Sequence, residues 1–303
     1  MAMSNGRGPT FVIPGASKSG TSSLHHYLSE HPDIYMPPEK ELHFFSRDEN
    51  YEQGLAAYEA RFDGWDGQTV LGEASPTYFY HGKVWKERSG AVRWVPTNDS
   101  AVRLGEAYPD LDIVISLRNP VTRAYSQYWK NVRQGYERTY SFADALREEL
   151  EGERNPRESA QCWVYANRYP FHLEHWLDCF GREQVKFLVF EEWIDRTEET
   201  MQEVCTFLGV DPLAEWETTS QLKNPSRIPR SLKLNRLYHD HLENTGIGEL
   251  VYYLNLRKGY PDMDPETKRF AFDVFSGVID ETETLIGRDL DVWREELEPE
   301  GPA

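Results

Sequence analysis

The run Thr-Phe-Val-Ile-Pro-Gly-Ala-Ser-Lys-Ser-Gly-Thr at residues 10–21 constrains this chain more than any other stretch. Residues 10–14 are apolar and β-branched, with turn formers behind them, and read as a buried strand. Gly15 and Gly20 permit a tight turn and a close approach of backbone to a ligand. A helical pattern then runs from Thr21 to Ser29. Strand, glycine loop and helix start, in that order, aim successive N–H groups and the positive end of a helix at one point, which suits a phosphate-like anion. Units of this kind belong to folds in which strands and helices alternate around a parallel sheet.

The rest of the chain agrees. Residues 112–117 (DIVISL) and 185–190 (VKFLVF) read as further buried strands, and 70–73 as a less apolar candidate. Helical patterns cover 122–133, 169–179 and 197–208, with Gly209 placed to end the last. Asp264-Pro265 opens a final helix that runs to about Ile286, before Gly287. The expected architecture is a P-loop-like α/β fold of three layers: a central, mainly parallel sheet flanked by helices. One domain is expected over residues 10–294, with flexible ends at 1–9 and 295–303. Long insertions are expected at 47–65 and 215–232.

Charge narrows the partners. The formal net charge is −18, which repels nucleic-acid backbones, so an anionic ligand needs a local basic pocket. Such acidity suits a salt-rich cytoplasm and equally an ordinary acidic protein; both explanations stay open. Three cysteines without C-x-x-C spacing argue against a disulfide framework or a zinc site. No Asp/Glu/His set with ligand spacing is evident, so no metal is expected. No run approaches ~20 apolar residues, and no secretory h-region opens the chain, so the expectation is a cytoplasmic protein that does not span a membrane.

The phosphate loop has the glycine spacing of G-x-x-x-x-G-K-[ST], but Thr21 stands where that pattern has lysine, and the cation lies earlier, at Lys18. With this change FVIPGASKSGTSSL resembles the 5'-phosphosulfate loop of sulfotransferases that use 3'-phosphoadenosine 5'-phosphosulfate (PAPS). VISLRNPVTRAYSQYW, residues 114–129, resembles the strand–helix element by which that family holds the 3'-phosphate; the matching residues are Arg118 and Ser126. Arg123 is either a second cation there or a surface residue. PEKELHFF, residues 38–45, resembles a stretch of the carbohydrate sulfotransferases, above all the heparan sulfate enzymes, and places the base on Glu41, with His43 two residues on. RKGYP, residues 257–261, resembles the loop that closes over the nucleotide, through Arg257, Lys258 and Gly259. LIGRDLDVW, residues 285–293, resembles the chain end of bacterial and heparan-type members. Two departures matter. Ala74 stands where the heparan enzymes often carry a lysine, which leaves Lys18 as the main cation near the transferred group. No cysteine pair matches the disulfide of some animal members.

The resemblance implies transfer of a sulfuryl group from PAPS, with no metal, to a hydroxyl or amine of a carbohydrate, a glycolipid or another small hydroxylated acceptor. Lys18, Ser19, Gly20, Thr21 and Ser22 would cradle the 5'-phosphosulfate, with Lys18 also steadying the leaving oxygen. Glu41 would take the acceptor's proton, and His43 would orient the acceptor or serve as base itself; if these residues lie on a strand, they share a face. Glu73, Ser75, Tyr169 and His172 are candidates for the acceptor side, although 169, 172, 173, 176 and 177 also make an ordinary core stripe. A P-loop kinase or NTPase would need the missing lysine and an acidic strand end, where Arg118 stands. A non-catalytic nucleotide binder would not need Glu41 beside His43.

Overall fold

The computed structural model describes residues 8–86, 92–95, 99–152, 162–212 and 227–295, with strands 83–86 and 92–95 given by backbone alone. Most of both chain ends expected to be flexible, and most of the insertion at 215–232, lie outside these residues. Nine strands occur among the described residues: β1 Phe11–Gly15, β2 Ile34–Tyr35, β3 Val70–Ala74, β4 Lys83–Lys86, β5 Val92–Val95, β6 Asp112–Leu117, β7 Val185–Val189, β8 Arg227–Pro229 and β9 Leu256–Lys258. Two compact units are formed.

The first unit takes in residues 1–82, 94–118 and 170–223. Its centre is a five-stranded sheet in the order β2-β3-β1-β6-β7, every pair parallel. Parallel strands need helical crossovers, which cover both faces and force continuous apolar runs. That is why FVI and IVI are fully buried along β1 and β6. Phe11, Ile13, Val114 and Leu188 pack with Leu24 and Leu28 of the helix Thr21–Ser29 and with Met201, Val204 and Cys205 of the helix Thr197–Phe207. Val12, Ile113 and Ile115 alternate to the other side and are equally buried, so neither face meets water. Residues 47–65, expected as an insertion, carry short helices at Asp48–Tyr51 and Leu55–Glu59 and a 3₁₀ turn at Ala60–Phe62.

The second unit takes in residues 83–93, 119–169 and 224–303. Its helix Pro120–Arg133 starts two residues before the expected 122, with Pro120 at the first turn and the Asn119 carboxamide accepting from the N–H groups of Val121 and Thr122. The helix Pro265–Ile286 is capped as its sequence predicts: Asp264 Oδ1 accepts from Thr267 N at 2.9 Å, and Gly287 ends it in the left-handed conformation. Val121, Tyr128, Phe142, Leu146, Trp163, Ala271 and Phe275 form its core. β8 and β9 pair antiparallel. All three cysteines are free thiols. No helix among the described residues is long and apolar enough to cross a membrane.

Candidate active site

The loop after β1 is tied down by its neighbour β6. Ala16 donates its N–H to the Ser116 carbonyl at 2.7 Å, and Ser116 Oγ donates to the Ser19 carbonyl at 2.6 Å while accepting from Trp193 Nε1 at 3.0 Å. Arg118, at the end of β6, donates Nη1 to the Lys18 carbonyl at 3.2 Å, and its guanidinium lies 4.8 Å from the centre of the Phe190 ring. Lys18 (φ 72°) and Gly20 (φ 81°) are both left-handed. Turns of this kind gather N–H groups into an anion-binding concavity. At position 20 only glycine fits, because a Cβ there would overlap the Trp193 ring and approach Phe190 to 2.9 Å. No side chain caps the helix that starts at Thr21, and beside it the Ser19 hydroxyl is fully buried without a hydrogen-bond partner. An uncapped helix start next to an unsatisfied buried hydroxyl fits an anionic group, since either would otherwise be left at a cost.

The second loop departs from expectation. Residues 41–43 are not a strand: Glu41 (φ 62°) and His43 (φ 52°) are both left-handed, conformations uncommon outside glycine that collect at functional sites. The loop is bolted to the end of β3. Glu41 donates its N–H to the Ala74 carbonyl at 3.2 Å, and His43 donates its N–H to Ser75 Oγ at 3.2 Å. The two side chains still meet, with His43 Nε2 3.7 Å from Glu41 Oε2, while His43 Nδ1 lies 2.8 Å from Thr77 Oγ1. His43 is thus anchored through Nδ1, with Nε2 turned toward the Glu41 carboxylate, whose side chain is 44% exposed.

Lys40 joins the two loops. Its ammonium donates to Ser22 Oγ at 2.6 Å and to Glu41 Oε1 at 3.0 Å, so one cation touches both the start of the phosphate-loop helix and the expected base. The sequence points to Lys18 as the main cation here. The structure adds Lys40, whose one signal is its place beside Glu41.

Glu73, on β3, is buried. Its carboxylate accepts from Ser75 Oγ at 2.7 Å and from the Tyr58 hydroxyl at 3.1 Å. The chain Glu73–Ser75–His43 therefore supports the loop at 41–43 from beneath. Burial lifts the Glu73 carboxyl from 4.5 to about 7, against the opposing pull of its hydroxyl donors. The unfolded chain ionises this group near 4.5, so its contribution to stability is complete below that pH and is lost as pH rises through about 7. Glu73→Gln should therefore gain stability relative to the parent between about pH 5 and pH 8, by something on the order of 3 kcal/mol. Urea unfolding at both pH values measures this; a difference that stays flat would mean that Glu73 is already ionised in the fold.

A polar cavity of about 280 Å³ adjoins the loop, lined among others by Glu39, Glu41, His43, Arg47, Asn50 and Arg61. His172, a candidate for the acceptor side, is fully buried: it is packed against Phe79, Tyr80 and Phe171, and its Nδ1 accepts from the N–H of His81 at 3.1 Å.

The second unit carries the remaining candidates. Ser126 is buried, with its hydroxyl 2.8 Å from that of Tyr260. Arg257 and Lys258 are exposed on β9, and Gly259 follows in the left-handed conformation. Tyr169 is fully buried, 5.9 Å from the Trp293 ring. Arg123 is no surface residue: it is 2% exposed, and its guanidinium donates to Asn167 Oδ1 at 2.5 Å and to the Ala166 carbonyl.

A model of the sulfotransferase family matches residues 9–215. Over 205 residues the chain is 31% identical to human heparan sulfate glucosamine 3-O-sulfotransferase 6, covering 67% of this chain and 53% of that one. The chain thus spans about half the length of the curated relatives it matches. The crystal structure of a sulfotransferase from Alicyclobacillus acidocaldarius is similar at 33% identity and a TM-score of 0.67, over 95% of this chain and 99% of that one. Mouse sulfotransferase SULT7A1, solved in complex with PAP, shares the fold at 15% identity and a TM-score of 0.52, over 96% of this chain and 89% of that one.

Proposed function

The chain belongs to the sulfotransferase family, and from that premise we propose that it transfers a sulfuryl group from PAPS to a hydroxyl or amine of a carbohydrate, a glycolipid or another small hydroxylated acceptor. The observation that carries this proposal is Lys40, which contacts Ser22 of the phosphate loop and Glu41 of the loop on β3 at once.

PAPS supplies the activated sulfuryl group; the work of the chain is to hold it and to manage charge and protons. Lys18, the Ser19 hydroxyl, Gly20 and the N–H groups and hydroxyls of Thr21 and Ser22 bind the 5'-phosphosulfate. Lys18 and Lys40 offset the negative charge that builds on the leaving oxygen. In the first unit Arg118 is a phosphate ligand by its bidentate fork. In the second, Ser126, Arg257, Lys258 and the backbone at Gly259 are contacts of the nucleotide's 3'-phosphate. Glu41 takes the acceptor's proton at Oε2, the oxygen not engaged by Lys40. His43, held through Nδ1 on Thr77 with Nε2 facing Glu41 Oε2, orients that carboxylate. The cavity beside Glu41 receives the acceptor, with Asn50, Arg47 and Arg61 as polar contacts. Glu73 and Ser75 act through the backbone of His43. Tyr169 and His172 are fully buried, so any part they take on the acceptor side would be indirect.

Thermal unfolding with PAP, with ATP and Mg²⁺, and with neither tests the donor half. A ligand at about 100 times its Kd stabilises the folded chain by ~2.7 kcal/mol, so PAP should raise the midpoint by several degrees and ATP should not. A rise with ATP and Mg²⁺ alone would overturn the proposal in favour of an NTPase. An acceptor screen with labelled PAPS then tests the other half.

A further inference from the structure

We propose that His81, Asp99, His175 and Cys179 bind one divalent transition-metal ion of the zinc class, at a site distinct from the phosphate loop. All four residues belong to the first unit. They come from three places: the segment after β3, the residue that opens the helix Ser100–Ala107, and the last turns of the helix Tyr169–Cys179.

The geometry is convergent. His81 Nδ1 lies 2.8 Å, and His175 Nε2 2.5 Å, from the same oxygen, Asp99 Oδ2. The two imidazoles stack with centroids 3.7 Å apart, and one ligand atom from each of the three residues falls within 4.8 Å of the others. Cys179 is one helical turn beyond His175, on the same face, with Sγ 3.9 Å from His175 Nε2. The second Asp99 oxygen is committed elsewhere, accepting from Val102 N at 3.3 Å as the helix cap, which holds Oδ2 toward the rings. The three first residues are only partly exposed, at 26%, 18% and 18% of their side-chain surface.

The donor set selects the ion. Two imidazoles, one carboxylate and one thiol suit zinc and its neighbours, and calcium or magnesium would ask for oxygens. Bonds of about 2.0–2.3 Å in a tetrahedron separate ligand atoms by roughly 3.3–3.8 Å. The ring nitrogens therefore have to move back from Asp99 by no more than about 1 Å, a displacement within reach of rotamer adjustment. A carboxylate oxygen only accepts, so without the ion the ring nitrogens facing Asp99 Oδ2 are donors; the ion would displace those protons, each ring then coordinating through that nitrogen and keeping a proton on the other. An ion here would clip together three chain segments that are distant in sequence, which is why a search for short-range ligand spacing does not find the site.

The test uses the full chain after chelator treatment, titrated with Zn²⁺ and with Co²⁺. One equivalent of Zn²⁺ should bind and raise the unfolding midpoint. Asp99→Asn keeps the helix cap but removes the anionic ligand, and His175→Gln removes a ring; each should weaken Zn²⁺ binding by at least about tenfold. Co²⁺ should give a tetrahedral visible spectrum with a sulfur-to-metal band that disappears in Cys179→Ser. Absence of saturable binding in folded protein would overturn the proposal, as would an affinity unmoved by both Asp99→Asn and His175→Gln, or a sulfur band that survives Cys179→Ser.

Discussion

Exchanging Glu41 for glutamine should lower kcat by about 10²–10⁴-fold, the usual worth of general-base assistance, and leave the affinity for PAP within about twofold of the parent. The glutamine keeps the shape and one acceptor oxygen, so the 3.0 Å contact with Lys40 can persist, and with it the link to Ser22. What disappears is the ability to accept a proton. Turnover with labelled PAPS and calorimetric titration with PAP measure the two quantities separately. Lys40→Met should behave differently, because that ammonium touches both loops: both kcat and PAP affinity should fall. A Glu41→Gln enzyme with full turnover would remove Glu41 from the chemistry and turn attention to His43. Loss of PAP binding in the same variant would mean that the loop at 40–43 holds the donor rather than the acceptor.

Gly20→Ala should be the most damaging single methyl that the phosphate loop can receive. Two costs add. A left-handed backbone disfavours a side chain by roughly 1–2 kcal/mol, and forcing a methyl against Trp193 and Phe190 adds about 1–3 kcal/mol. The sum, on the order of 2–5 kcal/mol, is a large part of the stability of an ordinary domain. Gly287→Ala separates the two contributions. It carries the same handedness at φ 67°, but nothing lies within 4 Å of the added carbon, so only the backbone part should be lost. Chemical denaturation of both variants reads the difference. PAP binding should fail in Gly20→Ala even where the protein remains folded, because Trp193, which the methyl would push, also holds Ser116 and through it the Ser19 carbonyl. Equal destabilisation by the two substitutions would mean that the aromatic pair gives way easily.

The parts of this fold that can be read from the sequence are those with a local cause. β1 and β6 announce themselves because strands buried on both faces run almost wholly apolar, β7 because all but Lys186 of it is buried and apolar, and the helix Pro265–Ile286 because its cap and stop residues act within a few positions of themselves. β2 is only two residues long and has no pattern to offer. The phosphate loop is legible for the same local reason, since its glycines and hydroxyls must follow one another. The loop at 41–43 shows the limit. Its alternation of Glu and His suggests a strand, and the two side chains do meet, but through a pair of left-handed residues pinned by Ala74 and Ser75 from another part of the chain. Arg123 reads in sequence as either a second cation or a surface residue, and only Asn167 and the Ala166 carbonyl, which take its guanidinium, show that it is not on the surface. Lys40, the buried state of Glu73 and the gathering of His81 and Asp99 about the helix that carries His175 likewise depend on long-range packing that no window of sequence contains.

The strand order β2-β3-β1-β6-β7 has a kinetic corollary. Phe11 pairs with Gly72 on one side and with Asp112 on the other, so the strand that carries the phosphate loop acquires its neighbours only after two long stretches of chain have closed. Closure entropy of that kind is spent before any pairing rewards it, and it slows folding. The anion cradle cannot precede the sheet, because its carbonyls are anchored by β6. A nucleotide therefore has nothing to hold during the ascent to the folding barrier, and its presence should leave the refolding rate unchanged while it lengthens the lifetime of the finished molecule.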